Sequence, residues 1–210
     1  MRKSRIAGLT ATGFLSLVSI IGSAQAPNTL SRAEQRAGWT LLFDGQSLNG
    51  WHAYNGQQPG DAWKAENGTL MFDGAAKKAG AKGGDLVTNE DYEDFDFQYE
   101  WKISPNGNSG VMFHVVESPA YKVPYVTGPE MQVLDDNGHP DGKIFKHRSG
   151  DLYDLIPSPK RYAKPVGQWN KARITVQRGF LTLFLNGKQT ASTELHSLKW
   201  ADMVAGSKFK

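Results

Sequence analysis

The sequence predicts an all-β protein, and three observations carry that prediction. Short apolar-polar alternations recur along the chain, Gly- and Asn-containing turn signals separate them, and no window sustains an apolar period of 3.6 residues. Many short strands joined by such turns argue for two packed antiparallel sheets or a barrel rather than an α/β fold.

In chain order, the first segment reads as a targeting signal. Arg2, Lys3 and Arg5 precede an apolar run from Ile6 to Ile21, and small residues follow at Gly22, Ser23, Ala24 and Ala26. That run has the length of a signal h-region, and Pro27 disfavours cleavage after Ala26, so a signal peptide over residues 1–24 is expected. The chain carries a formal +3, and the signal holds three basic and no acidic residues. The remainder is formally neutral, so its charge gives no reason to expect a nucleic-acid partner or, once the signal is removed, a membrane partner. With no cysteine there is no disulfide, thiolate metal site or thiol nucleophile. Export to a bacterial periplasm or beyond is expected.

Residues 25–37 read as a linker with one or two helical turns, and residues 38–210 as one domain. Trp39–Phe43 is the first predicted strand. Trp63–Glu66 and Thr69–Phe72 flank Asn67-Gly68, a hairpin signal because both central residues of a type I′ turn need positive φ. Residues 74–84 read as a Gly/Ala/Lys loop. Phe95, Phe97, Tyr99, Trp101 and Ile103 share one face of a strand, with Asp96, Gln98, Glu100 and Lys102 on the other. Strands are also expected over 110–117, 130–134, 152–156, 172–177 and 181–185, the last two joined at Arg178-Gly179, before a polar C-terminal stretch.

The sequence holds no phosphate-binding Gly-rich loop, no G-x-S-x-G elbow and no HExxH helix. Polar residues concentrate instead between Asn108 and Asp154. Gly110, Met112 and His114 are expected on one strand face, and Glu130 with Gln132 on the next. The loop from Asp135 to Asp141 contains His139, and His147, Arg148, Tyr153 and Asp154 follow. Asp, Asn and Gly in that loop also satisfy ordinary turn geometry. No cofactor is predicted; Asp141, His139 and His147 are the set available to a divalent metal, at a spacing that fits no standard site. Trp63, Trp101 and Trp169 are candidates for stacking on a sugar, or for the core.

Several motifs resemble the bacterial 3-keto-disaccharide hydrolase family, whose domain combines 3-keto-glucoside 1,2-lyase and 3-keto-2-hydroxyglucal hydratase activities. They are Gly38–Gly45 with Leu48–Trp51, Asn108–Phe113, Pro129–Asp135, Gly150–Leu155 and Gly167–Asn170. The resemblance implies a concanavalin A-like jelly-roll sandwich with a carbohydrate substrate, a 3-keto-glucoside, on its concave sheet. It departs at His114, where relatives more often carry Arg, and it implies further closing strands beyond Lys210, so the chain is expected to be part of a longer reading frame.

Within that resemblance, a C3 ketone acidifies the C2 proton, and elimination across C1–C2 followed by hydration cleaves the glycoside. Such a site needs a base, an acid and a donor for the C3 oxyanion. Glu130 is the expected base, and His147 or His139 the expected acid. Tyr153, Gln132 and Asn108 are expected donors to the ketone and hydroxyls, and His114, Asp135 and Arg148 are further substrate contacts. A non-catalytic carbohydrate-binding module on the same sandwich is the alternative.

Overall fold

The computed structural model describes residues 26–210. The signal expected over residues 1–24 lies outside them. No helix among the described residues is long and apolar enough to cross a membrane.

The chain divides into two compact units, the first ending at Leu41 and the second spanning Leu42–Lys210. In the first, α1 (Arg32–Arg36) begins with a reciprocal cap: Glu34 N donates to Ser31 Oγ at 3.2 Å, and Ser31 N donates to Glu34 Oε2 at 2.7 Å. The strand expected at 39–43 does not form. The carbonyl of Leu42 accepts instead from Trp51 Nε1 at 2.7 Å, a side chain occupying what a ladder would use.

The second unit is all-β with antiparallel pairing. Its strands are β1 (Trp51–Ala53), β2 (Trp63–Glu66), β3 (Thr69–Phe72), β4 (Leu86–Thr88), β5 (Phe95–Trp101), β6 (Asn108–Met112), β7 (Glu130–Leu134), β8 (Asn170–Gln177), β9 (Phe180–Leu185) and β10 (Lys188–Glu194). One sheet runs β10-β9-β8-β5, and three two-stranded ribbons pair β1 with β4, β2 with β3 and β6 with β7. The β2–β3 turn has φ of 50° at Asn67 and 72° at Gly68, as the hairpin signal requires.

The core lies between the four-stranded sheet and the β6–β7 ribbon. Ala172, Ile174 and Val176 of β8 and Leu181, Leu183 and Leu185 of β9 point to one side, where they meet Met131 and Val133 of β7 and Leu152. Each fully buried leucine contributes about 1.5–3 kcal/mol. On β5, Phe95, Phe97, Tyr99 and Trp101 face this core, as the alternation predicts.

Four further expectations are corrected. The strand expected at 110–117 begins at Asn108 and ends at Met112, because His114 has φ 52° and breaks the pleat. The segment 152–156 is a tight reversal: Asp154 has φ 58°, and Leu152 and Ile156 exchange both backbone bonds. Residues 74–84 contain α2 (Gly74–Lys78), capped by Asp73. The C-terminal stretch supplies β10 and α3 (Leu198–Ala205), whose Trp200, Met203 and Val204 pack on the core.

Candidate functional site

The ribbon β6–β7 builds the site. Its register sets Met112 opposite Glu130, Gly110 opposite Gln132 and Asn108 opposite Leu134, so these six residues share one face. Met131 and Val133 occupy the other face and enter the core. Glu130 reaches diagonally across to Gly110, whose missing side chain makes the room. A Cβ on Gly110 would lie 2.5 Å from Glu130 Cδ and closer still to Oε1.

Glu130 makes no side-chain hydrogen bond to the described residues. Burial pushes its carboxyl up to about 7, helped by the charge of Asp85 and opposed by that of Lys208. The hydroxyl of Tyr99 is buried without a partner, and burial, then the Glu130 charge, pushes its pKa far up.

Asp141 gathers the polar residues beside this carboxylate. Its Oδ2 accepts from Tyr153 Oη at 3.3 Å and from Asn108 Nδ2 at a long 3.4 Å, and lies 3.9 Å from His147 Nδ1. Gln132, only 2% exposed, donates from Nε2 to Asn108 Oδ1 at 3.4 Å while its Oε1 accepts from Val133 N at 3.0 Å. The reversal at Asp154 aims Tyr153 inward. Burial, and then Asp141 and Glu130, push the Tyr153 hydroxyl up to about 12.

His147 is held on both sides of its ring. It packs against Tyr153 with centroids 4.3 Å apart and the rings tilted by 34°, and its Nε2 lies 3.0 Å from Asp154 Oδ1. Burial raises the Asp154 pKa, but the Lys208 amide and His147 outweigh it and hold the carboxyl below its ordinary value. A carboxylate partner fixes the proton on Nε2, which leaves His147 Nδ1 as a buried atom with no hydrogen-bond partner. His139 shares that tautomer but is held from the other nitrogen: its Nδ1 accepts from Asp141 N at 3.2 Å, so Nε2 carries the proton and can donate.

The remaining predicted residues are engaged elsewhere. Asp135 accepts from the amides of Asn106, Gly138 and Asn137, which hold its carboxyl below the ordinary range and bind the loop to the preceding turn. Arg148 donates from Nε to Gly142 O at 3.2 Å. His114 donates from Nε2 to Glu93 O at 2.8 Å, away from the ribbon face on which it was expected. Among the described residues, no group of three or more His, Asp or Glu is arranged to hold a metal ion.

Sequence reasoning missed Lys208. Its backbone N donates to Asp154 Oδ2 at 2.8 Å, and its Nζ stands 4.1 Å from the Tyr153 ring centroid. No motif marks it; the apolar 3.6 spacing of Trp200, Met203 and Val204 was the available signal that this tail packs inward. The site therefore combines a carboxylate of raised pKa, a neutral phenol, a cation and several amide donors.

Three comparisons with known proteins follow this geometry. The model of a family described as the 3-keto-alpha-glucoside-1,2-lyase-like domain matches residues 38–209. A 3-keto-disaccharide hydrolase of Bacteroides thetaiotaomicron is 34% identical over 185 residues, covering 82% of this chain. The chain spans 64% of that relative's length. A crystal structure of a candidate glycosyl hydrolase from Parabacteroides distasonis matches with a TM-score of 0.77 at 31% identity, covering 87% of this chain and 84% of that one. A second from the same organism, at 20% identity and a TM-score of 0.54 over 76% of this chain and 66% of that one, shares the fold. This chain belongs to the 3-keto-alpha-glucoside-1,2-lyase-like domain family.

Proposed function

We propose that the protein cleaves 3-keto-glycosides by elimination and rehydration, with Glu130 as the base. The observation that carries this is the Glu130 carboxyl, raised to about 7 by burial and free of side-chain hydrogen bonds over the bare Cα of Gly110. A base poised near neutrality is what proton abstraction beside a ketone requires.

Glu130 removes the C2 proton, and the C2–H electron pair moves into the C3 carbonyl as an enolate. Lys208 and the amides of Asn108 and Gln132 are the donors that support the C3 oxyanion. Collapse of the enolate forms C1=C2 and breaks the bond from C1 to the glycosidic oxygen. Tyr153 gives its proton to that oxygen, a weak acid matched to the alkoxide it protonates, while Asp141 and the His147 ring packed against it hold it in place. Water then adds at C1, returning a proton to Tyr153, and Glu130, its carboxyl proton exchanged with solvent, protonates C2. The pairing of a carboxyl raised to about 7 with a phenol raised to about 12 separates base from acid. His139, through Nε2, is a hydrogen-bond donor to a substrate hydroxyl. His147 acts by positioning, because its free nitrogen is buried. An exported protein acting on carbohydrate outside the cytoplasm fits the basic and apolar N-terminal segment.

The test is incubation with 3-keto-trehalose or 3-keto-sucrose in D₂O, with and without EDTA. The expected outcome is release of 3-keto-glucose with deuterium at C2, and loss of both in Glu130→Gln. Cleavage without C2 exchange would overturn the elimination route, and saccharide binding without any turnover would establish the binding-module alternative.

A further inference from the structure

A second feature lies at the other end of the β1–β4 ribbon. That ribbon runs from the Asp85 end, where the Tyr54 amide donates to Asp85 O at 2.9 Å, to the end where the Asn89 amide donates to Gly50 O at 2.9 Å. Asp85 acts electrostatically on Glu130. Four residue steps of extended strand separate Asp85 from Asn89, about 13 Å. Beside Asn89 opens a cleft of about 450 Å³, lined among others by Trp51, Trp63, Asn49, Gln58 and Asp61.

Both indoles are fixed before any ligand arrives. Trp51 Nε1 donates to Leu42 O at 2.7 Å, and Trp63 Nε1 donates to Gly84 O at 2.8 Å. Phe72 braces Trp63 edge-on, with ring centroids 4.9 Å apart. With the N–H groups engaged, the rings have their faces left to offer. The side chains of Asn49, Gln58 and Asp61 are exposed and make no hydrogen bond to the described residues. The wall beneath them is tight: a Cβ on Gly60 would lie 2.7 Å from Gly83 O, and Ala62 N donates to Lys82 O at 2.9 Å. Rigid aromatic faces beside unpaired amides and a carboxylate suit a ligand with C–H-rich faces and a rim of hydroxyls.

We propose that this cleft is a second saccharide-binding site, which takes an unoxidised pyranose unit. It extends the keto-glycoside reading by assigning a place to the far end of a longer substrate. The ring that carries the ketone goes to Glu130, and a further ring goes to the cleft, beside Asn89 at the end of the ribbon about 13 Å from Asp85. The cleft does not contain Glu130, Tyr153 or Lys208, so its binding is separable from turnover.

The test titrates the full chain with maltose, trehalose and cellobiose, followed by tryptophan fluorescence and calorimetry. Saturable binding with a fluorescence change is expected for at least one of them. The double variant Gln58→Ala/Asp61→Ala, at exposed positions, should weaken that binding about 10- to 100-fold through loss of its hydrogen bonds. Turnover of methyl 3-keto-glucoside, a single ring, should be unchanged in this variant, and Glu130→Gln should bind maltose as the parent does. Trp63→Ala should abolish the fluorescence change; should it fail to fold, the exposed double variant carries the test alone. Absence of saturable binding for all three sugars, or binding that the double variant leaves intact, would overturn the proposal. Saccharide binding at the cleft in a protein that turns over no keto-sugar would overturn the catalytic reading and leave this one standing.

Discussion

The β8–β9 pair and the β6–β7 ribbon are both antiparallel, yet they place their side chains by different rules. β8 alternates buried and more exposed residues, with Ala172, Ile174 and Val176 inside and Lys171, Arg173 and Gln177 outside. β7 is enclosed on both faces: Met131 and Val133 lie in the core, while Glu130, Gln132 and Leu134 are covered on the opposite side. A half-exposed strand can discard its polar groups into water. A strand covered twice must find partners for them or accept the cost of desolvation. In β7 that cost falls on Glu130 and becomes its raised pKa. The sheet thus supplies stability, and the ribbon supplies the carboxylate proposed as the base, at some expense to stability.

The sharpest attempt to break this division is Glu130→Gln. Removing a general base should lower kcat/KM about 10²- to 10⁴-fold. The parent's kcat/KM should rise with pH and level off above about 7, since the ionised carboxylate is the active form. Stability should move the other way. The folded-state pKa is raised to about 7 from an ordinary 4.5, so between those values the native state holds the proton more tightly than the unfolded chain. Native stability should therefore fall as pH rises from about 4.5 through about 7, by up to about 3 kcal/mol, and Glu130→Gln should lack that slope in urea titrations.

Leu183→Ala probes the other region. It should cost about 2–5 kcal/mol in urea unfolding while leaving turnover by the folded fraction intact. A catalytic defect in the folded protein would break the separation between sheet and ribbon. Gly110→Ala is smaller and more local. The added methyl displaces the Glu130 carboxylate, and a shift of about 1 Å should lower kcat about 10²-fold with KM little changed. The smallest effect belongs to Thr193→Val in β10, where the hydroxyl is buried with no partner. Removing it should leave stability within about 1 kcal/mol, with a gain the expected direction.

The sheet was legible because apolar alternation in β5, β8 and β9 follows directly from one-sided burial. Asn67-Gly68 and Arg178-Gly179 announced their turns through positive φ. β10 escaped because Thr190, Ala191 and Thr193 fill its buried face with small and polar groups, leaving no hydrophobic signal. Asn186-Gly187, with φ of 49° and 76°, was the turn that could have revealed it. At the site, Glu130, Gln132 and Asn108 were legible as residue types on neighbouring strands, and Tyr153 as a residue type on a segment that the structure folds into a tight reversal. The tautomers of His139 and His147 depend on a backbone amide and a carboxylate brought in by loops, so no spacing in the sequence encodes them. Lys208 depends on where α3 delivers the tail.

The register of the β6–β7 ribbon has a consequence for how this domain tolerates length changes. Which side chains share the face of Gly110 and which enter the core is decided by the parity of position along β7. A single-residue insertion between Pro129 and Glu130 would turn Met131 and Val133 toward the face of Gly110 and drive a carboxylate and an amide into the hydrocarbon interior. Insertions in pairs would restore the alternation, and insertions in the turns outside the ribbon would leave it alone. A scan of insertions along residues 105–137 should therefore show activity with an odd–even beat inside the ribbon that fades outside it, a reading frame written in the pleat rather than in the codons.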